Sequence, residues 1–292
     1  MSNSVAASPS AAPPSPAAPA LRAEAQPRRL LISLFGLFVR AEVNWISVAA
    51  LIRLLVDLGV GAQAVRSSIS RLKRRGALAS SRHLGSAGYA PSAELAETLL
   101  EGDRRIFGRH RATLADGWVT VVFSVPEEER KKRHELRSAL AAHGFGIMAP
   151  GVWIAPGTVA DEAPEMLRRR HLDGYVTILH GQLVGDESLP EAVGRWWNLP
   201  ELAAQYQQFI EQYEPLADRV DADGISDREA FVTYVPLVTA WRKLPYLDPG
   251  LPLELLPQPW PGARATELFH RLDAHLSAPA HRHATGVISA MP

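Results

Sequence analysis

A long stretch without acidic residues constrains this chain more than any other feature. The sequence has no Asp or Glu between Asp57 and Glu94, although the whole chain balances 31 acidic against 31 basic residues. The basic residues of this stretch are Arg66, Arg71, Lys73, Arg74, Arg75 and Arg82. Positive charge confined to one segment of a neutral chain predicts a single, localised surface for an anionic partner.

Apolar spacing within this stretch predicts a helix from about residue 62 to residue 75. Val65, Ile69 and Leu72 recur at i, i+4 and i+7 and would form one buried stripe. The opposite face would carry Gln63, Arg66, Ser67, Ser70, Arg71 and Arg74. Arg and Gln can pair with base edges in the major groove, and Ser can bind phosphates. We therefore expect a DNA-reading helix, with a merely solvated charged face as the alternative.

The surrounding pattern predicts a winged helix-turn-helix domain over residues 28–91. Two apolar helices, over 29–38 and 48–58, come before the basic helix, and Gly76 would end it. Residues 78–91 then have the pattern of a short hairpin, which would serve as the wing. On that wing, Arg82 and Tyr89 are further candidates for DNA contact.

With the rest of the chain included, the sequence predicts an α+β protein with three folded domains. From Trp118 onward the pattern follows the order β-α-β-β-α-β, which is typical of a ferredoxin-like domain. Later residues favour helices joined by proline-rich segments. The expected parts are a disordered Ala/Pro/Ser tail over 1–27, the winged domain over 28–91, a connector helix over 92–115, the ferredoxin-like domain over 116–184, a helical C-terminal domain over 185–278 and a flexible tail over 279–292.

Short motifs in this order resemble the PaaX family of bacterial transcriptional repressors, from about Leu30 to Leu276. The motifs are Val65–Leu72 in the basic helix, Asp116-Gly117-Trp118, Gly144-Phe145-Gly146 with Ala149-Pro150, Trp197-Asn198-Leu199, Tyr206 with Phe209-Ile210, Pro215-Leu216, Asp248-Pro249, Leu251-Pro252 with Leu255-Leu256-Pro257, and Trp260. The resemblance implies a homodimer that occupies double-stranded operator DNA. It also implies release by an aryl-CoA thioester, phenylacetyl-CoA in the best-known members.

An aryl-CoA effector would need an apolar slot for its ring and cations for its phosphates. Candidates for the ring are Trp118, Phe145, Met148, Trp153 and Trp197, with Trp196 as an additional one. Candidates for the phosphates are Arg168, Arg169 and Arg170. The alternative is that the aromatic side chains belong to the core and that the arginine run is solvated.

Signals for metal binding and catalysis are poor. Cysteine is absent, which excludes disulfides and thiolate sites and fits a reducing cytoplasm. Residues 221–224 resemble the start of a calcium loop but lack its closing glutamate, and His270 and His275 are spaced wrongly for one helical face. We expect no metal site, no cofactor and no enzymatic activity. No apolar run is long enough to span a membrane, so no membrane contact is expected.

The alternative function is metal-dependent cleavage of nucleic acid. Ferredoxin-like domains of this kind are also similar to the small nuclease-like proteins of CRISPR systems, in which an acid near the end of the first strand can matter. Here the first acids after that strand are Glu127 and Glu128, and the start of a helix explains them. The sequence therefore disfavours a nuclease.

Overall fold

The computed structural model describes residues 27–40, 44–83, 85–108, 110–184 and 188–291, without the side chains of 221–223. The Ala/Pro/Ser tail expected over 1–27 lies outside these ranges except for Pro27, which begins the first helix. The described chain is a mixture of helices and two antiparallel sheets, one of three strands and one of four.

Three helices and a small sheet form the N-terminal unit. The elements are α1 (Pro27–Leu34), which continues as a π-helical turn (Phe35–Val39), β1 (Ile46–Ser47), α2 (Val48–Asp57), α3 (Ala62–Arg74), β2 (Leu78–His83) and β3 (Ser86–Pro91). The sheet order is β1-β3-β2, and β2 pairs with β3 from Leu78 opposite Pro91 to His83 opposite Ser86. The Ser47 hydroxyl caps α2 by accepting a hydrogen bond from the Ala50 N–H.

A four-stranded sheet with two helices on one face forms the central unit, which follows the connector helix. The elements are α4 (Ala93–Phe107), β4 (Trp118–Phe123), α5 (Arg130–Ala142), β5 (Gly146–Ala149), β6 (Val152–Pro156), α6 (Glu162–Arg169) and β7 (Val176–Gly181). The strand order is β5-β6-β4-β7, and every neighbouring pair is antiparallel. Because side chains alternate along a strand, Val119 and Val121 share a core with Leu136 and Leu167 of the two helices, whereas Trp118 packs in a different core.

The C-terminal unit is helical within the described residues. Its helices are α7 (Leu189–Trp196), α8 (Leu199–Asp223), α9 (Asp227–Trp241), α10 (Leu244–Leu247) and α11 (Pro261–Ala290). α8 is the second longest of these helices and contains Pro215. The side chains of the segment that resembles a calcium loop fall among the residues that are not described.

The expectation of a flexible tail over residues 279–292 is wrong for residues 279–290, because α11 continues to Ala290. Its final turns pack against the N-terminal unit, where Ala280 and Ala284 are fully buried. The His281 ring lies against Phe38, with 4.7 Å between ring centroids, and its Nε2 is 3.0 Å from the Leu37 carbonyl oxygen. These contacts stabilise the helical form of residues 279–290, which their composition predicts to be flexible.

The N-terminal and C-terminal units share one continuous hydrophobic core. Leu30, Leu34 and Phe35 of the first helix belong to the same buried cluster as Phe231 and Phe269. A buried hydrogen bond of 2.7 Å also joins the Ser33 and Thr239 hydroxyls, one from α1 and one from α9. Burial in a shared core fixes the N-terminal unit against the helical end of the chain.

Two arginines of the connector turn toward the helical unit. The Arg105 guanidinium donates to the Pro245 carbonyl oxygen and lies 4.9 Å from the Tyr246 ring centroid. Arg111 pairs with buried Asp248 at 2.8 Å, and the Tyr206 hydroxyl donates to the same carboxylate. The connector is therefore attached to the helical unit. Arg109 lies outside the described residues.

Candidate DNA-binding surface

α3 buries one face and exposes the other, as its amphipathic pattern indicates. Val65, Ile69 and Leu72 are almost completely buried. Of the predicted DNA contacts on this helix, Ser67 is half-buried, and the exposed ones are Gln63, Arg66, Ser70, Arg71 and Arg74. The helix therefore presents a row of cations and small polar groups to solvent.

Two glycines in the left-handed conformation lie before and after α3. Gly59 has φ 80° between α2 and α3, and Gly76 has φ 71° directly after α3. At the second turn, the Gly76 N–H bonds to the Lys73 carbonyl and the Ala77 N–H bonds to the Leu72 carbonyl. This pattern closes a helix with a left-handed residue, a conformation that glycine adopts without strain. α2 and α3 therefore meet at a tight turn, and the chain enters the hairpin directly after α3.

A groove between α3 and the hairpin brings helix and strand residues together. Arg66, Ser70 and Lys73 line it from α3, and Tyr89 lines it from β3. The Lys73 ammonium lies 5.7 Å from the Tyr89 ring centroid, within cation–π range. Lys73 was absent from the predicted contacts, although its spacing of seven residues from Arg66 and three from Ser70 places all three on one helical row.

The hairpin supplies the second part of this surface. Arg82 and Tyr89 line one shallow depression together with Ser80 and Ser81. Gly88, the residue next to Tyr89, lies so close to Trp45 that an added Cβ would come within 2.3 Å of the indole. Trp45 is half-buried and also contacts His83, with 5.4 Å between ring centroids. The tryptophan therefore supports the hairpin from beneath. Leu84, at the hairpin turn, falls outside the described residues.

The cations of this surface are not neutralised within the described part of the chain. No ion pair there joins Arg66, Arg71, Arg74 or Arg82 to a carboxylate, and Arg71 instead donates to the Ser68 hydroxyl at 3.2 Å. The acid that precedes the stretch, Asp57, is buried and already paired. We name the predicted contact residues of α3 and the hairpin, together with Lys73, the α3–hairpin surface. Its members are Gln63, Arg66, Ser67, Ser70, Arg71, Lys73, Arg74, Arg82 and Tyr89.

The predicted effector residues fall into separate regions. Trp118, Met148 and Trp197 pack with the core that the N- and C-terminal units share, and Trp118, Trp196 and Trp197 have ring centroids 6.1 to 6.3 Å apart. Phe145 and Trp153 instead belong to the core between the central sheet and its helices. The structure therefore brings the three tryptophans together and leaves Phe145 and Trp153 in a different core.

The arginine run at the end of α6 is exposed and largely paired with acids. Arg168 bonds to Glu165 at 2.5 Å, and Arg169 bonds to Glu101 of α4 at 2.7 Å. This pairing raises the pKa of Arg169, chiefly through the hydrogen bond and charge of Glu101. Arg170 is also exposed. The Arg169–Glu101 pair links α6 to the connector.

The described ranges contain neither a metal-binding cluster nor a membrane-spanning helix. Within the described ranges, no three side chains of His, Asp or Glu are grouped so that they could hold a metal ion. The helices of the same ranges are too short or too polar to cross a lipid bilayer.

A cationic helix beside a hairpin, with no carboxylate on its exposed face, is typical of proteins that bind duplex DNA. Three family models match this chain. "PaaX-like protein" matches residues 26–95, "PaaX protein central Cas2-like domain" matches 111–193, and "PaaX-like protein C-terminal domain" matches 197–286. The chain belongs to the PaaX family.

Two known proteins are similar to this chain. The transcriptional repressor PaaX of Escherichia coli strain K12 is 25% identical over 244 residues, which cover 82% of this chain and 77% of the relative. The uncharacterized protein Rv0674 from Mycobacterium tuberculosis has a solved structure that aligns with a TM-score of 0.54 at 21% identity, covering 88% of this chain and 96% of that one. The second likeness concerns the fold alone. Family and named relative point to a transcriptional repressor and not to an enzyme.

Proposed function

We propose that this protein is a transcriptional repressor that binds double-stranded operator DNA through the α3–hairpin surface. The observation that carries the proposal is the exposed face of α3, which has four unneutralised cations beside a hairpin and no carboxylate. Phosphates would be held by Lys73, Arg82 and the serines, and bases would be read by Arg66 and Arg71. Tyr89, which lies on the hairpin, would contact the DNA backbone.

The proposal includes a winged helix-turn-helix domain over residues 28–91. In support, α1, α2 and α3 are followed by a hairpin, and the short strand β1 pairs with β3. In this motif the last helix enters the major groove and the wing touches the flanking backbone. α3 and the β2–β3 hairpin occupy these two positions in the chain.

For the central unit, over residues 116–184, we propose a ferredoxin-like domain. The order of elements is β-α-β-β-α-β, and the strand order β5-β6-β4-β7 is the one in which the first and third strands of such a domain lie side by side. Residues 92–115 would connect it to the winged domain. The helical domain from residue 185 would extend to Ala290, because α11 does.

DNA binding can be tested with charge-removing variants. A duplex enriched from random sequences by binding to the protein provides the probe for a gel-shift titration. We expect Arg66→Ala and Arg71→Ala each to weaken binding by about 1 to 3 kcal/mol, because each removes a contact to a base edge. Arg264→Ala, which removes an exposed arginine of α11, is the control and should bind normally. Unchanged affinity for both Arg66→Ala and Arg71→Ala would contradict the assignment.

We also propose that the protein acts as a homodimer and that an aryl-CoA thioester such as phenylacetyl-CoA releases it from DNA. The support is the membership of the PaaX family together with the tryptophan cluster at Trp118, Trp196 and Trp197, which offers aromatic surface at the joint between the central and helical units. Met148 packs at the same core, whereas Phe145 and Trp153 would shape the domain from the other side of the sheet. Arg168, Arg169 and Arg170 remain the proposed phosphate contacts, and Arg168 and Arg169 would exchange their present acidic partners for the phosphates.

Release would follow from thermodynamic linkage. An effector that binds the free dimer more tightly than the DNA-bound dimer must weaken DNA binding by the same factor. In a gel-shift titration, phenylacetyl-CoA should release the duplex, whereas free CoA should not. Tryptophan fluorescence should change over the same range of concentration. A duplex that stays bound at saturating thioester would rule out this effector, and it would leave the DNA-binding proposal intact.

A further inference from the structure

A second basic surface lies on α5 of the central unit, apart from the α3–hairpin surface. Arg130, His134 and Arg137 are spaced at i, i+4 and i+7 and therefore share one side of this helix. All three are exposed, and they line one shallow depression together with Arg133. Lys131 is exposed beside them. We name Arg130, Lys131, His134 and Arg137 the α5 face.

The acids near the α5 face lie at its edges. Glu127, which also lines the depression, pairs with Arg133 at 2.8 Å. Glu135, the acid within α5, is half-buried and pairs with Lys132 at 3.3 Å. The other two acids of the turn over 127–129 precede the helix. The α5 face itself therefore carries basic side chains and no carboxylate.

The cations of the α5 face have no acidic partner in the part of the chain that the structure describes. Within those residues, no ion pair or hydrogen bond joins Arg130, Lys131 or Arg137 to a carboxylate. Arg130 and Arg137 each lie three or four residues from Arg133, and like charges at this spacing repel one another. A bound anion would relieve this repulsion. Phosphate suits the face, because guanidinium groups donate paired hydrogen bonds to its oxygens.

The central unit is attached to the connector close to the hairpin. α4 begins where the hairpin ends, and the N–H of its N-cap residue, Ser92, bonds to the Ala77 carbonyl at 2.9 Å. Arg169 at the end of α6 contacts Glu97 and Glu101 of α4 at 3.6 and 2.7 Å. Because a helix rises about 1.5 Å per residue, the contact at Glu101 lies about 14 Å along α4 from the hairpin.

α5 lies beside α6 in the same layer of the central unit. Leu136 and Leu140 of α5 share a core with Met166 and Leu167 of α6. Neighbouring packed helices lie about 8 to 10 Å apart. Both this separation and the distance along α4 are shorter than one turn of duplex DNA, which is about 34 Å long. A duplex that lies against α3 and continues past the hairpin by one turn is therefore long enough to reach α5.

We propose that the α5 face binds the phosphate backbone of the duplex outside the segment that α3 contacts. The inference rests on the proposed repressor function and adds a second contact to it. Backbone contacts carry no sequence information, but they strengthen binding and increase its dependence on salt. The central unit would therefore take part in DNA binding directly, in addition to any role in binding an effector.

Gel-shift titrations with two duplexes test the second contact. The core duplex is the shortest selected fragment whose binding still depends on Arg66, and the extended duplex adds about ten base pairs at each end. We expect the wild type to bind the extended duplex at least about threefold more tightly than the core at low salt. Arg130→Gln/Arg137→Gln should lose this preference and bind the core normally. Its slope of log Kd against log salt on the extended duplex should fall by about two, because two phosphate contacts are lost.

Arg264→Gln/Arg271→Gln, which removes two exposed charges from α11, is the matched control and should keep the preference for the extended duplex. Circular dichroism checks that both double variants are folded. A wild type without the preference, or an α5 double variant that keeps it with an unchanged salt slope, would overturn the inference. Weaker core binding by Arg66→Ala in the same experiment would show that the proposed repressor function still holds.

The phosphates of a CoA thioester are the other anion that could occupy the α5 face. Release of the duplex by phenylacetyl-CoA should therefore also be measured for Arg130→Gln/Arg137→Gln. A double variant that binds both duplexes like the wild type but no longer responds to the thioester would assign the face to the effector and overturn the inference. A wild type that binds no duplex at all would overturn this inference and the proposed function together.

Discussion

Asp57 shows at the scale of single residues how distant parts of the chain converge. Its side chain is only 3% exposed, and it lies 3.0 Å from the Arg228 guanidinium and 3.1 Å from His283 Nε2. Arg53 of the same helix adds a longer contact of 3.4 Å. Burial by itself would raise the pKa of Asp57, but the hydrogen bonds from Arg228 and His283, with the charges of Arg228 and Arg53, hold it below 3.8.

This pKa gives a prediction for stability and its pH dependence. Because the folded-state pKa lies below the unfolded-state pKa, ionised Asp57 stabilises the folded protein at pH 7, and this contribution disappears as the pH falls below 3.8 through the folded-state pKa. Asp57→Asn should therefore lower the free energy of unfolding by about 1 to 3 kcal/mol at pH 7, measured in urea, and by less at pH 3. Asp218→Asn, at an exposed ion pair with Arg271, is the control and should change it by less than about 0.5 kcal/mol. An equal loss for Asp57→Asn at both pH values would contradict this account.

At the scale of elements, the position of the hairpin beside α3 depends on the close packing of Trp45 against β3. Gly88 is buried and pairs with Ser47 across β1 and β3. A Cβ at this position would lie 2.3 Å from the Trp45 ring and 2.4 Å from the Ile46 carbonyl oxygen. The backbone would have to move, because the carbonyl belongs to the neighbouring strand.

Gly88→Ala should therefore displace the hairpin from α3. We expect a loss of about 1 to 3 kcal/mol in the free energy of unfolding, as is usual for overpacked sites. We also expect weaker binding to the selected duplex, because Tyr89 and Arg82 would shift relative to Arg66. Gly174→Ala provides the comparison, since an added Cβ there meets nothing within 4 Å. If both variants match the wild type in urea and in the gel shift, the close packing at Gly88 is unimportant.

At the scale of the whole molecule, the end of α11 fastens the N-terminal unit to the helical unit. His281 contacts Leu37 and Phe38, and His283 contacts Asp57. The Ser47 hydroxyl, which caps α2, also donates to the Met291 carbonyl. These contacts connect the last helix to each of the two helices that precede α3.

Removal of residues 279–292 should therefore destabilise the protein. We expect the free energy of unfolding to fall by at least about 2 kcal/mol, because buried alanines and a partner of Asp57 are lost together. Arg282→Gln, which changes an exposed residue of the same segment that pairs with Asp227, should have little effect. A truncated protein as stable as the full chain would mean that the segment behaves as the tail that its composition indicates.

The sequence by itself determined the features that depend on neighbours along the chain. The stripe of Val65, Ile69 and Leu72 gave the buried face of α3, and Gly76 marked its end. Alternating residues from Trp118 onward gave the central strands, since a period of two indicates which side chains share a face. The family resemblance also followed from such short motifs, and the comparisons confirm it.

Only the tertiary structure decided the features that join distant segments. Asp57 meets partners 171 and 226 residues away, and Ser33 of α1 bonds to Thr239 of α9. Residues 279–290 stay helical because they pack on the N-terminal unit, a contact that their own composition does not predict. Local periodicity reports which face of an element is apolar, but it carries no information about which other element will cover that face. The packing of the whole chain determines that choice.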